Sequence, residues 1–248
     1  MTGGELAIVI GAMLLGAFVK GAVGTGLPTV AIPVMAGFIG VEEAVVIMAI
    51  PTVLTNSWLL WAHRGYASES RDLPALMGFG ILGAVAGAWI LSAVEPALLM
   101  FALAGVVGIY VALFVFRPQL EVSPDRSRRL APPVGAAAGA LQGATGISGP
   151  LLTTYTHALR LPRRPFLFQL AAQIEVFALA QVLAFVALGL YTLELLAASL
   201  LAIVPAALAL PLGMRLSARL PLVTFERVVL VVLVIMAGKL VFDGITGA

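Results

Sequence analysis

Apolar residues run along this chain in eight long blocks, near 5–38, 43–62, 74–93, 97–116, 132–160, 166–190, 192–212 and 224–243. Short polar stretches rich in arginine or glutamate separate them. A helix needs about 20 apolar residues to span hydrocarbon, so six of the blocks are read as single transmembrane helices. The first and fifth are longer, and each is interrupted by glycines and a proline.

The two interruptions match one another. Sliding the second half by 122 positions lays "KGAVGTGLP" (Lys20 to Pro28) over "QGATGISGP" (Gln142 to Pro150). Gly21, Ala22, Gly24 and Pro28 then meet Gly143, Ala144, Gly146 and Pro150 without a gap. Each match opens a group of one broken and three intact segments, which reads as two repeats. Repeat 1 is expected over 1–116, with a hairpin at 5–38. Residues 117–131 form a cytoplasmic linker, and repeat 2 occupies 132–248 with a hairpin at 132–160.

Charge sets the orientation. If all eight segments crossed, the loops at Arg64/Arg71 and Arg117–Arg129 would face away from those at Arg160–Arg164 and Arg215–Arg227. If segments one and five are instead re-entrant hairpins, all twelve arginines share one side, and Glu5, Glu42, Glu43, Glu95 and Glu194 share the other. The positive-inside rule makes the arginine side cytoplasmic. Three crossings per repeat is an odd number, so the second repeat is inverted and both termini are expected outside.

Composition agrees with this reading. The chain of 248 residues is 61% hydrophobic and 10% charged, with a mean hydropathy of +1.10. A soluble domain carries about 25% charged residues, so the fold class expected is an all-α polytopic membrane protein. It has no cysteine, which excludes disulfides and thiolate chemistry. No basic region precedes the first apolar run, so no cleaved signal peptide is expected. No phosphate-binding GxxxxGK[ST] sequence is present, and nucleotide hydrolysis is not expected to drive any activity. Twelve of the fourteen basic residues are loop arginines, which argues for membrane orientation over nucleic-acid binding.

The broken segments carry the candidate chemistry. Non-helical backbone at membrane depth is tolerated only inside protein or along a wet cavity. In each hairpin the first arm is expected to end near Lys20 or Gln142, and the second to start at Pro28 or Pro150. Proline suits a helix's first turn, and Gly21, Gly24, Gly26, Gly143 and Gly146 let the chain reverse. The second arm's free N–H groups then point into the bilayer, where helix N-termini bind anions. Arms of roughly ten to sixteen residues reach mid-membrane. Lys20 adds a positive charge that costs about 2.5–3.5 kcal/mol at a helix centre, which marks it as functional. Its structural alternative is a snorkelling or paired lysine. Gln142, Thr25, Thr145 and Ser148 offer uncharged hydrogen-bonding groups, equally able to satisfy freed backbone.

Glu175, in "FQLAAQIEVFALAQ", is the other deeply placed ionisable residue. It is read either as a carrier of a coupling proton or as the neutralising partner of Lys20. Gln169 and Gln173 share a helix face, and Asn56 in "PTVLTNSW" is their weaker counterpart in the first half, with Pro51 as a kink. "GISG" fits the GxSG sequence of intramembrane serine proteases, but the only histidines are His63 and His157, and neither follows on a later helix. A Ser148–His157 dyad is disfavoured, no enzyme activity is expected, and two histidines without cysteine give no metal or haem site.

Two halves, each opening on a "G-x-x-G-x-G/S-x-P"-like break, resemble the TauE/SafE sulfite exporter family, also called the 4-toluene sulfonate uptake permease family. The resemblance spans essentially the whole chain. It implies a bacterial or archaeal carrier of the cytoplasmic membrane for a small anion such as sulfite or an organosulfonate, with no cofactor. It also implies a substrate site at the tips, Lys20 to Pro28 and Gln142 to Pro150; H+, carried by Glu175, is the coupling ion considered. The expected function is alternating access around one mid-membrane site formed by both tips. An uncoupled anion channel or facilitator and a non-transporting scaffold are the alternatives. The sequence leaves substrate, direction and oligomeric state open.

Overall fold

The computed structural model describes residues 1–23, 26–116, 120–216 and 222–247. Among these residues all regular structure is helical. α1 (Gly3–Val23) and α2 (Leu27–Ile39) form a broken first segment, followed by α3 (Val41–His63), a 3-10 turn (Arg64–Glu69), α4 (Leu73–Ala93) and α5 (Pro96–Phe116). The second half repeats the order: α6 (Pro124–Thr145), α7 (Gly149–Ala158), α8 (Arg163–Ala187), α9 (Leu193–Leu216) and α10 (Leu222–Thr246). Among the described residues seven helices are long and apolar enough to cross a membrane: the six intact segments and α1.

Both breaks fall where the glycines and prolines put them. Pro28 and Pro150 each occupy the first turn of a second arm, where a missing N–H costs nothing. Gly26, with φ 110°, caps α2, and Gly146, with φ 69°, ends α6; a side chain at either would be strained. The first arms are longer than mid-membrane reach requires. α1 has 21 residues and α6 has 22, each roughly 30 Å long. α6 also begins at Pro124, inside the stretch 117–131 expected to be a linker. Ser123 and Pro124 start the helix early, and its first two turns carry Arg126, Arg128 and Arg129.

Hydrogen bonds and close approaches fix helix directions. α1 runs parallel to α9: the Met1 amino group pairs with Glu194 at one end. At the other, a Cβ on Gly21 would lie 2.2 Å from the Leu210 carbonyl oxygen. α6 runs parallel to α4 in the same way, from Ser127 Oγ donating to Asp72 Oδ2 at 2.5 Å up to Gly143 packed on Ala84. α3 and α8 lie antiparallel, joined by Tyr191 Oη to Val46 O (3.2 Å), Ser57 to Glu175 and Arg164 to Tyr66. Arg71, Arg128, Arg160 and Arg164 therefore gather at one end of the bundle.

Burial is that of a membrane protein. Leu82, Trp89, Leu183, Leu208 and Phe242 are exposed on the outside, where lipid would cover them. Inside lie Lys20, Asn56, Gln142, Gln169, Gln173, Glu175 and Gln181.

Candidate functional site

Pro51 shapes the first polar centre. It removes one backbone donor from α3, and the next turn is rich in side chains that return to the backbone. Thr52 Oγ1 donates to Met48 O at 2.8 Å, Thr55 Oγ1 to Pro51 O at 2.8 Å, and Asn56 Nδ2 to Thr52 O at 2.8 Å. Those bonds fix the hydroxyl of Thr55 and turn Asn56 Oδ1 outward from α3. Lys20, one turn before the end of α1, donates to both: Nζ lies 2.9 Å from Thr55 Oγ1 and 2.9 Å from Asn56 Oδ1.

Lys20 is only 3% exposed. Its two acceptors are neutral, and it forms no salt bridge among the described residues. An ammonium carries three donors, so one remains after Thr55 and Asn56. Glu175 approaches the same turn of α3 from the other side. Its Oε1 accepts from Ser57 Oγ at 2.7 Å, and its buried Oε2 has no partner. Cation and carboxylate thus address consecutive residues, Thr55 to Ser57, without touching each other.

Gln142 anchors a second centre, at the inner face of the other hairpin. Its Oε1 accepts from Ser148 Oγ at 2.7 Å and its Nε2 donates to Gln181 Oε1 at 3.0 Å. Gln181 Nε2 returns to Gln142 O at 2.7 Å. Thr145 turns back on its own helix, donating to Leu141 O at 2.7 Å while accepting weakly from Ile147 N. The tip is thereby closed on itself. Gln173 Oε1 accepts from Thr156 Oγ1 at 3.2 Å on α7, leaving Gln173 Nε2 unpaired.

The tip residues do not form one cluster. Lys20 reaches α3 at Thr55 and Asn56, whereas a Cβ on Gly146 would press on Ile32 and Val45. Those α3 positions are ten residues apart, about 15 Å along the helix. Gly21 faces Leu210 and Gly143 faces Ala84, so both serve helix contact. Gly24 and Thr25 lie outside the described residues, as do Arg117 and Arg219. Gln169 is buried and holds the backbone of Arg71 at the arginine end, at 2.9 and 3.2 Å. Ser148 is engaged with Gln142, and the His157 ring stacks on Phe166 with centroids 4.4 Å apart.

Thr55, Ser57 and Gln181 were not singled out from sequence. The run "PTVLTNS" carries the signal for the first two: four polar side chains, Thr52, Thr55, Asn56 and Ser57, within six residues of a proline in an apolar helix. Gln181 has no comparable local mark.

A scan against protein families matched residues 8–240 to the family described as sulfite exporter TauE/SafE. No match was found among curated proteins or among solved structures. The match covers nearly the whole chain, both broken segments and all six intact ones; this multi-pass membrane protein belongs to the sulfite exporter TauE/SafE family of transporters.

Proposed function

We propose that this protein is a secondary transporter for a small anion, sulfite or an organosulfonate, with Lys20 as the electrostatic anchor of the substrate. The observation that carries the reading is the Lys20 ammonium, buried yet held only by neutral acceptors. Glu175 is near enough to act on it electrostatically but forms no ion pair with it. A buried cation whose direct partners are all neutral is costly, and an anion bound at its third donor offsets that cost. Asn56, Thr55 and Ser57 supply neutral hydrogen bonds beside it. The Gln142–Ser148–Gln181 group is a second polar station in the other half. Glu175, with a free Oε2, is the candidate for a coupling proton.

The two halves are read as inverted repeats in the cytoplasmic membrane, arginine end inward. Supporting this, each half sends the first arm of its hairpin along the second intact helix of the other: α1 with α9, α6 with α4. Alternating access then comes from one half rocking against the other.

The test is uptake of labelled sulfite and small sulfonates into proteoliposomes. Wild type shows saturable uptake, accelerated by an imposed pH gradient, and Lys20→Met lowers it at least tenfold. Glu175→Gln keeps downhill flux but loses the response to the gradient. Undiminished uptake by Lys20→Met sinks the anchor role, and wild-type flux indifferent to the gradient makes the protein a facilitator.

A further inference from the structure

A cleft of about 570 Å³ opens at the arginine end, lined among others by Arg71, Glu121, Ser123, Arg126 and Arg160, with Lys20 not among its lining. Its walls come from three separate parts of the chain: the approach to α4, the start of α6 and the end of α7. One connection joins two of these walls and another fixes the third to α8. Gln169 binds the Arg71 backbone in both directions, and Val122 N donates to Ala158 O at 3.0 Å.

The arginines here are not used as their neighbours are. Arg128 faces Asp72, Arg164 donates to Tyr66, and Arg160 pairs with Glu121 at 2.6 Å. The guanidinium groups of Arg71 and Arg126 have no partner among the described residues. Glu121 offsets one of the cleft's three positive charges, which leaves two. The Ser123 side chain, at the N-cap of α6, bonds none of that helix's free N–H groups. Among the described residues, Asp72 and Arg160 alone are non-glycines at positive φ, 55° and 53°, and they sit beside and within this cleft. Such backbone is costly and persists where surrounding contacts fix it, often at ligand clamps.

We propose that this cleft is a binding site for a doubly charged oxyanion group of the phosphate type, with Arg71 and Arg126 as its principal ligands. Planar guanidinium groups bind tetrahedral oxyanions through paired N–H donors. The volume exceeds that of a bare ion and admits a phosphate attached to an organic body. Either a soluble phosphate or a phosphomonoester lipid headgroup meets that description. Occupancy would tie the approach to α4 to both arms of the second hairpin, so the site is placed to restrain their relative movement.

The experiment uses the full chain and two probes at constant ionic strength, which controls for screening. In neutral detergent, inorganic phosphate is titrated while the melting temperature is followed. In nanodiscs, phosphatidic acid is compared with phosphatidylcholine. Saturable stabilisation by phosphate identifies a soluble ligand; stabilisation by phosphatidic acid alone identifies a headgroup. In either case Arg71→Gln/Arg126→Gln weakens binding at least tenfold, whereas Lys20→Ala leaves it unchanged, which separates this site from the transport site. If the glutamine pair does not fold, Arg71→Lys/Arg126→Lys keeps the charge, loses the fork and weakens binding at least threefold. Stabilisation by neither probe, or equal stabilisation of wild type and arginine variants, overturns the proposal.

Discussion

In the proposed site, Lys20 is held at a cost in stability. Desolvating a cation costs several kcal/mol, and two neutral acceptors recover only part of it. Methionine has similar length and no charge. Lys20→Met removes the buried charge but strands the buried Asn56 Oδ1, so it is expected to unfold within about 1 kcal/mol of wild type while losing transport; a lysine kept only for structure would leave transport by the folded variant intact. Asn56→Ala works the other way. It keeps the charge and removes an acceptor, so a loss of about 1.5–3 kcal/mol is expected, the range for hydrogen bonds to charged groups. In the second half, Ser148 is the only donor to Gln142 Oε1 within the described structure. Ser148→Ala strands that buried oxygen and should cost about 1–3 kcal/mol in denaturant or thermal unfolding in detergent. A shift below 0.3 kcal/mol would mean water takes the hydroxyl's place.

Helix pairing rests on backbone contact that only glycine allows. A Cβ on Gly139 would sit 2.0 Å from the Gly80 carbonyl oxygen, and one on Gly213 would sit 2.2 Å from that of Phe18. The obstruction in both is backbone, which cannot swing aside as a side chain can. Gly78 on α4 has nothing within 4 Å of its Cβ position. Gly139→Ala should thus lower the stability to unfolding strongly, by more than about 2 kcal/mol, because α4 and α6 must separate. Gly78→Ala should be neutral or slightly stabilising, since alanine is the better helix former by up to about 1 kcal/mol. Equal effects at the two positions would discount the close packing. This level also shows what the sequence could and could not tell. The breaks at Gly26 and Gly146 were legible because glycine and proline act locally, through φ and a missing donor. The start of α6 at Pro124 was not, since the arginines of 117–131 read as a linker while the helix begins among them and runs on through Pro132 and Pro133. Nor was the use of Gly80, Gly135 and Gly139, whose meaning lies in a partner helix more than 50 residues away. Lys20 and Asn56 were each visible as polar residues in apolar helices. Their hydrogen bond across 36 positions was not.

For the molecule as a whole, the decisive quantity is on which side of the membrane each end lies. Met1 against Glu194 marks one end of the bundle, and the contacts of Arg71, Arg128, Arg160 and Arg164 mark the other. Moving all the clustered arginines across a bilayer during insertion is disfavoured, so this end should stay cytoplasmic. The chain has no cysteine, so single cysteines report position without background. Ser123→Cys and Ser70→Cys, at the arginine end, should react with a membrane-impermeant maleimide only after cells are opened. Thr192→Cys, beside Glu194, should react in intact cells. Because Met1 lies with Glu194, an N-terminal epitope should be accessible from outside as well. Labelling of both Ser123→Cys and Thr192→Cys in intact cells would signal mixed orientation. Labelling of Ser123→Cys alone would reverse the molecule and place Lys20's hairpin on the cytoplasmic side. The contacts at Lys20 would be unaltered by that reversal, but the first half would then open inward, and the polarity of the proposed alternating cycle would invert with it.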